Sequence, residues 1–99
     1  YLYVFQNNIS QIPNDFNKLK KLWELHLGNN TFKKLPPNIR KAKQLKMVFL
    51  NDNLIEFIPD DFSKKEGRIA AMSLNDNPLS VREKEKAKKY FRRFWLLEL

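Results

Sequence analysis

The chain has 99 residues, a formal net charge of +8 and no cysteine. Its length limits it to one domain, and the absence of cysteine excludes both a disulfide framework and a thiolate metal site. No apolar run approaches the ~20 residues that a helix needs to span a bilayer, so the sequence predicts no transmembrane segment and leaves the compartment, cytoplasmic or secreted, open.

The first predicted element is a strand at residues 1–5. Extended chain alternates its side chains between two faces. Leu2 and Val4 are therefore expected to point inward, and Tyr3 and Phe5 to point outward.

The same pattern of apolar residues recurs along the chain. Seven residues of the segment 22–36 fit L-x-x-L-x-L-x-x-N-x-L followed by x-x-L-P, and they are Leu22, Leu25, Leu27, Asn30, Phe32, Leu35 and Pro36. Steps of 23, 23 and 24 residues connect four equivalent asparagines, Asn7, Asn30, Asn53 and Asn77. Because an inward amide can both donate to and accept from backbone groups that a turn leaves unpaired, we predict that these asparagines are structural.

This pattern resembles the leucine-rich repeat, and the resemblance covers residues 1–80. The continuations IPNDF, LPPNI and IPDDF are most similar to the bacterial repeats of about 23 residues. The resemblance implies an α/β fold, a right-handed solenoid whose short parallel strands form a concave face. It also implies two parts: four repeats over residues 1–79, the first one partial, and a C-terminal capping helix over residues 80–99.

The last predicted element is a helix that begins after Ser80. Ser80 and Glu83 match a capping box, in which the serine accepts from the third helical residue and the glutamate reaches back to the cap. At 100° per residue, one side of the helix is apolar and the other is basic. The apolar side holds Ala87, Tyr90, Phe91, Phe94 and Leu97. Such a helix is expected to cover the open end of the repeats.

The first repeat has no comparable cover, because Tyr1 begins partway through a strand. We therefore expect either that the natural protein continues upstream or that the chain associates with a second copy through this end. The size of the chain in solution is the measurement that tests this expectation.

Outward strand positions are the usual binding surface of leucine-rich repeat proteins, so the resemblance implies a partner protein on the concave face. The candidate residues are Tyr3, Phe5, Trp23, Glu24, His26, Asn29, Met47, Phe49, Asn51, Asp52, Ser73 and Asn75. Equivalent positions on successive strands predict a row across the sheet, formed by Tyr3, His26, Phe49 and Ser73. Exposed aromatic residues are typical of interfaces. The alternative is that they pair across strands for stability alone.

The net positive charge is concentrated near the C-terminus. Residues 81–97 hold seven basic and two acidic side chains. An alternative function is therefore binding of an anionic surface, either membrane lipid or nucleic acid, through the final helix. Glu24, Asp52 and Asp76 make the strand side mildly acidic, which favours a protein partner over nucleic acid at that place.

The sequence offers little for catalysis, and we predict neither an enzyme nor a cofactor. His26 is the only histidine, and Ser73 is two strands away from it in the predicted sheet. Asp52 and Asp76 follow neighbouring strands, but two carboxylates with few further oxygen donors make a poor calcium site. The chain contains only two glycines, so it has no glycine-rich phosphate loop.

Overall fold

The computed structural model describes residues 2–3, 22–64 and 68–99. In this part of the chain, five strands form one parallel sheet in the order β1-β2-β3-β4-β5. They are β1 (Leu2–Tyr3), β2 (Glu24–His26), β3 (Met47–Phe49), β4 (Ala71–Ser73) and β5 (Leu96–Glu98). Strands that are consecutive in the sequence are also adjacent in the sheet, which is the topology expected when each repeat adds one strand.

Short helices lie in the described connections between the strands. Pro37–Lys41 forms a 3₁₀ helix between β2 and β3, Asp60–Ser63 forms another between β3 and β4, and α1 (Val81–Tyr90) connects β4 to β5. Pro36 and Pro59 occupy the N-cap positions of the two 3₁₀ helices, where the fixed φ of proline prepares the chain for the turn. Within the described residues, none of the helices has the length and apolarity needed to cross a membrane.

The inward side chains of the strands form one core. The register pairs Leu25 with Val48, Val48 with Met72, and Met72 with Leu97. The first three are buried, Leu97 packs against them, and Phe62 from the Asp60–Ser63 helix joins the same cluster. The helices thus cover the inward side of the sheet, and the other side, called the strand face below, carries the outward side chains.

The asparagines make the predicted bonds between repeats. The Nδ2 group of Asn53 donates to the carbonyl oxygens of Leu27 (2.9 Å) and Leu50 (3.0 Å), and its Oδ1 accepts from the N–H of Phe32 (3.1 Å). Asn77 makes the equivalent bonds one repeat further along the chain. Each of these amides therefore connects its own repeat to the preceding one.

Asn30 also donates to backbone carbonyl oxygens, those of Leu27 and Gly28, both at 3.1 Å. The predicted structural role is therefore confirmed at Asn30, Asn53 and Asn77. Asn7 and Phe5 lie outside the described residues, and so does the side chain of Tyr3. Self-association through the N-terminal end stays a prediction for the same reason.

The C-terminal segment differs from the predicted single helix. α1 ends at Tyr90, and residues 96–98 form β5. Phe94, Leu97 and Leu99 pack against the core, with the L-x-x-L-x-L spacing of the inward residues in the earlier repeats. The expectation that Phe94 and Leu97 belong to the apolar side of the helix is wrong, because both residues pack against the core from the segment after α1, and this segment also forms backbone hydrogen bonds to the edge of β4.

The first turn of α1 is bonded to the preceding repeat. Ser80 Oγ accepts from the N–H of Glu83 at 3.2 Å, as the predicted capping box requires. The Glu83 carboxylate acts differently from that prediction, because Oε1 accepts from the backbone N–H of Ile58 at 2.9 Å. Lys86 Nζ lies 3.2 Å from Glu83 Oε1 and 3.1 Å from Asp60 Oδ1. These contacts attach the helix to the repeat that contains β3.

Candidate binding surface on the strand face

The strand register arranges the outward side chains in rows. One row contains His26, Phe49, Ser73 and Glu98, and the next contains Glu24, Met47, Ala71 and Leu96. The residues directly before the strands form a third row, which contains Trp23, Lys46, Ala70 and Trp95. The predicted row across the sheet is present from His26 onward, and the backbone of Tyr3 pairs with His26 at its other end.

A stacked pair of rings occupies the strand face at β2 and β3. The ring centroids of His26 and Phe49 are 4.4 Å apart, with an interplanar angle of 15°. His26 Nε2 also lies 3.1 Å from Glu24 Oε2. All three residues are half-buried, so the stack and the carboxylate hold the imidazole in one orientation while part of each side chain stays accessible.

Two exposed tryptophans directly precede strands of this surface. Trp23 is 57% exposed and Trp95 is 68% exposed. Lys46 Nζ lies 5.1 Å from the centroid of the Trp23 ring, a distance at which the cation is attracted to the ring face. Trp23 and Trp95 hold equivalent positions before β2 and β5, so both belong to the same row.

Ser73 does not have the accessibility that was predicted for it. Its side chain is only 4% exposed, and Ala71 is fully buried. The register explains this, because Ser73 lies between Phe49 and Glu98 and Ala71 lies between two longer apolar side chains. The small side chains of β4 are therefore covered by the longer side chains of β3 and β5. Ser73 can offer a partner little contact area.

Polar residues follow the strands at one edge of the strand face. Asn29, Asp52 and Asp76 have φ angles of 56°, 57° and 61°, in the left-handed region that Asn and Asp adopt more readily than most other residues. Asn51 Nδ2 donates to Asp52 Oδ2 at 3.0 Å. Asn29 and Asp52 are exposed, and Asn51 and Asn75 are half-buried, so these candidate residues are accessible.

Among residues 22–64 and 68–99, no group of three acidic or histidine side chains is placed to hold a metal ion. In the row across the sheet, Phe49 lies between His26 and Ser73. That the chain is not an enzyme and carries no cofactor stays a prediction.

The fifth strand and the residue before it add three residues that the sequence prediction did not assign to the surface, Trp95, Leu96 and Glu98. A signal for them exists in the sequence, because Phe94, Leu97 and Leu99 repeat the L-x-x-L-x-L spacing. The same residues also fit a helix, because Phe94 and Leu97 continue the apolar side of the preceding helix at helical intervals. The sequence pattern alone therefore favours neither structure.

The repeated register and the asparagine bonds define an α/β fold of the leucine-rich repeat type. The structure is similar to that of a leucine-rich repeat protein from Leptospira interrogans, with a TM-score of 0.65 and 26% sequence identity. The match covers 97% of this chain and 30% of the Leptospira protein. No protein-family model and no curated protein matches the sequence. The structural neighbour supports a protein-interaction module as the general class.

Proposed function

We propose that the chain is a repeat solenoid that binds a partner protein through the strand face. The observation that supports this most strongly is the exposure of large aromatic side chains there. Trp23 and Trp95 are both more than half exposed, and the His26–Phe49 stack presents a rigid surface on the same face. Aromatic residues are the most frequent energetic centres of protein interfaces, and a stack that is already ordered loses little conformational freedom on binding.

The charges of the strand face indicate which partner surface would fit. Glu24, Asp52, Asp76 and Glu98 carry negative charge, and Lys46 next to Trp23 carries positive charge. Glu24 and Glu98 lie in the rows that contain Met47 and Phe49, and Asp52 and Asp76 follow β3 and β4 at one edge. A complementary partner would therefore offer an apolar patch that is bordered by basic groups.

In this proposal the C-terminal segment closes the solenoid, and α1 and β5 do so together. Ala87 and Phe91 of the helical segment are buried in the core, and Phe94 and Leu97 of the following segment pack against it. The outer side of α1 is exposed and basic. A terminal repeat needs a cover of this kind, apolar inside and polar outside.

The proposal is tested by removing two rings from the strand face. Trp23→Ala with Phe49→Ala is expected to weaken binding of a partner identified with the wild-type chain by at least about 10-fold, because anchor residues of this type dominate interface energies. Titration calorimetry with the purified partner measures this loss. The control is Leu54→Ala with Phe57→Ala, which removes two side chains that are 48% and 59% exposed but lie outside the strands.

The control variant is expected to bind the partner with wild-type affinity. Equal affinities of the wild type and the strand-face variant would contradict the proposal. Ionic strength separates it from the alternative, binding of an anionic surface through the basic helix, because that mode predicts a steep loss of affinity with salt and the strand face predicts a shallow one.

A further inference from the structure

A cavity of about 530 Å³ lies on the helical side of the protein, away from the strand face. Its walls come from the Asp60–Ser63 helix, the C-terminal end of α1 and the segment that leads into β5. Half of the described lining residues are apolar or aromatic, namely Phe62, Ile69, Met72, Tyr90, Phe91 and Phe94, and Phe62, Met72 and Phe91 among them are buried. The volume falls within the ~300–1,000 Å³ that is usual for sites of small organic ligands.

The other residues that line the cavity give it a positive charge. They include five cationic side chains, Arg40, Lys64, Lys89, Arg92 and Arg93. None of the described lining residues is acidic. The described lining residues therefore combine buried or half-buried apolar side chains with mostly exposed cationic ones.

The position of α1 explains only part of this charge. Basic residues are favoured at the C-terminal end of a helix because they interact with its partial negative charge, and this applies to Lys89, Arg92 and Arg93. Arg40 and Lys64 come from two other connections of the solenoid. The Arg40 guanidinium carbon lies 6.0 Å from the centroid of the Phe62 ring, so cationic and aromatic groups meet at the cavity itself.

We propose that this cavity binds a single-chain amphiphile with an anionic headgroup. The apolar chain would be buried against the apolar and aromatic lining residues, where it leaves water, and the headgroup would lie among the guanidinium and ammonium groups of the cationic ones. A neutral amphiphile would lack the second interaction, and a cationic one would be repelled. This site is independent of the strand face, so either proposal can fail without the other.

Decanoate, below its micellar concentration, is the probe. We expect decanoate to bind the wild-type chain in titration calorimetry, with at least about 10-fold weaker binding of decanol and no binding of acetate or decyltrimethylammonium. The chain has two methionines, of which Met72 lines the cavity and Met47 lies on the strand face. In a sample with labelled methionine methyl groups, decanoate is expected to shift the Met72 signal and leave the Met47 signal unchanged.

A charge-reversed variant tests the cationic lining residues. Arg92→Glu with Arg93→Glu is expected to weaken decanoate binding at least about 10-fold. The control, Arg82→Glu with Lys88→Glu, changes the net charge equally at two exposed positions that do not line the cavity, and it should bind decanoate within about 2-fold of the wild type, because exposed charges at a distance are screened.

A second variant tests the cavity without changing its charge. Ser63 is exposed and lines the cavity, so Ser63→Trp is expected to occupy part of the cavity and to weaken both decanoate binding and the Met72 shift. Four outcomes would overturn the proposal: no binding of decanoate, equal binding of decanoate and decyltrimethylammonium, a shift of Met47 alone, or equal affinity in the two charge-reversed variants. Binding of the chain to anionic vesicles without affinity for monomeric decanoate would also overturn it, in favour of a membrane surface.

Discussion

Asn53 shows why asparagine, and not a residue of similar shape, recurs once in each repeat. Its side chain is buried and meets carbonyl oxygens on one side and a backbone N–H on the other. Aspartate has no donor for the carbonyl oxygens, and leucine has neither donor nor acceptor. The amide satisfies both kinds of backbone group, which would otherwise be buried without partners.

This argument predicts a large effect for a small change. Asn53→Asp should lower the free energy of unfolding by about 3 kcal/mol, because it places a carboxylate against the carbonyl oxygens of Leu27 and Leu50. Urea denaturation measures the loss. The matched control is Asn29→Asp, which makes the same substitution at an exposed turn position and should cost less than about 0.5 kcal/mol. Equal losses in both variants would contradict the structural role of the Asn53 amide.

The residue before each of the asparagines at 30, 53 and 77 adopts a left-handed backbone conformation. Asn29, Asp52 and Asp76 all have positive φ angles, which cost most residues with a Cβ about 1–2 kcal/mol. Asn and Asp reduce this cost because their short polar side chains bond locally, as Asp52 does in accepting from Asn51. The turn therefore restricts the choice of residue even where the side chain is exposed.

At the scale of elements, α1 is bonded to the preceding repeat through a buried carboxylate. The hydrogen bond from the Ile58 N–H holds the pKa of Glu83 below its ordinary value, with Lys86 acting in the same direction. Lys86 likewise lowers the pKa of Asp60 through a hydrogen bond, and the Tyr90 hydroxyl donates to the same carboxylate. The ionised forms of both acids are thus the ones that the fold stabilises.

These shifts predict that acid loosens the attachment of α1. A carboxyl group whose pKa is lowered by folding contributes its full stabilisation above the unfolded pKa, about 4.3 for Glu, and loses it as the pH falls through the folded pKa. Glu83→Gln should therefore be less stable than the wild type by about 1 kcal/mol at pH 7, and the difference should shrink towards pH 3. Urea midpoints across this range measure it.

The control for this prediction is Glu85→Gln. Glu85 is on the same helix, but it is exposed and forms an ion pair with the exposed Lys88 at 3.5 Å. Its replacement should change stability little at any pH, because exposed ion pairs contribute little. A difference between wild type and Glu83→Gln that is the same at pH 3 and pH 7 would show that the charge of Glu83 is not what attaches the helix.

At the scale of the whole molecule, the features that repeat were predictable from the sequence. The repeat spacing of 23 or 24 residues predicts the inward positions of Leu25, Val48 and Met72. It also predicts the asparagine bonds, because each repeat must place equivalent groups against its neighbours. The burial of Ser73 depends on the longer side chains of the strands beside it, and no pattern within its own repeat shows these. The outward strand positions of the candidate surface follow from the same period, and their role in binding stays a prediction.

The C-terminal strand was not predicted, and the reason is physical. Phe91, Phe94 and Leu97 are three residues apart, which suits one side of a helix. Phe94, Leu97 and Leu99 also fit the spacing of an inward strand. The choice between these depends on the unpaired edge of β4, whose backbone groups need partners. That edge exists only after the sheet has formed, so local sequence does not reveal it.

The fifth strand should accordingly unfold together with the rest of the sheet. Leu97→Ala removes apolar contacts with the core and should lower the free energy of unfolding by about 1–3 kcal/mol, whereas Leu54→Ala, at an exposed position, should change it by less than about 0.5 kcal/mol.

The fluorescence of each tryptophan can report the unfolding of the region around it. Trp95→Phe leaves Trp23 before β2 as the only fluorophore of this type, and Trp23→Phe leaves Trp95 before β5.

In both single-tryptophan backgrounds, the fluorescence transitions in urea should have the same midpoint, and Leu97→Ala should shift the two midpoints equally. Stacked repeats unfold in this way when the interfaces between them are stronger than the differences among the repeats. A Trp95 transition at lower urea than the Trp23 transition would mean that β5 detaches first. The cavity would then lose one wall before the strand face is lost, because Phe94 lines it directly before Trp95.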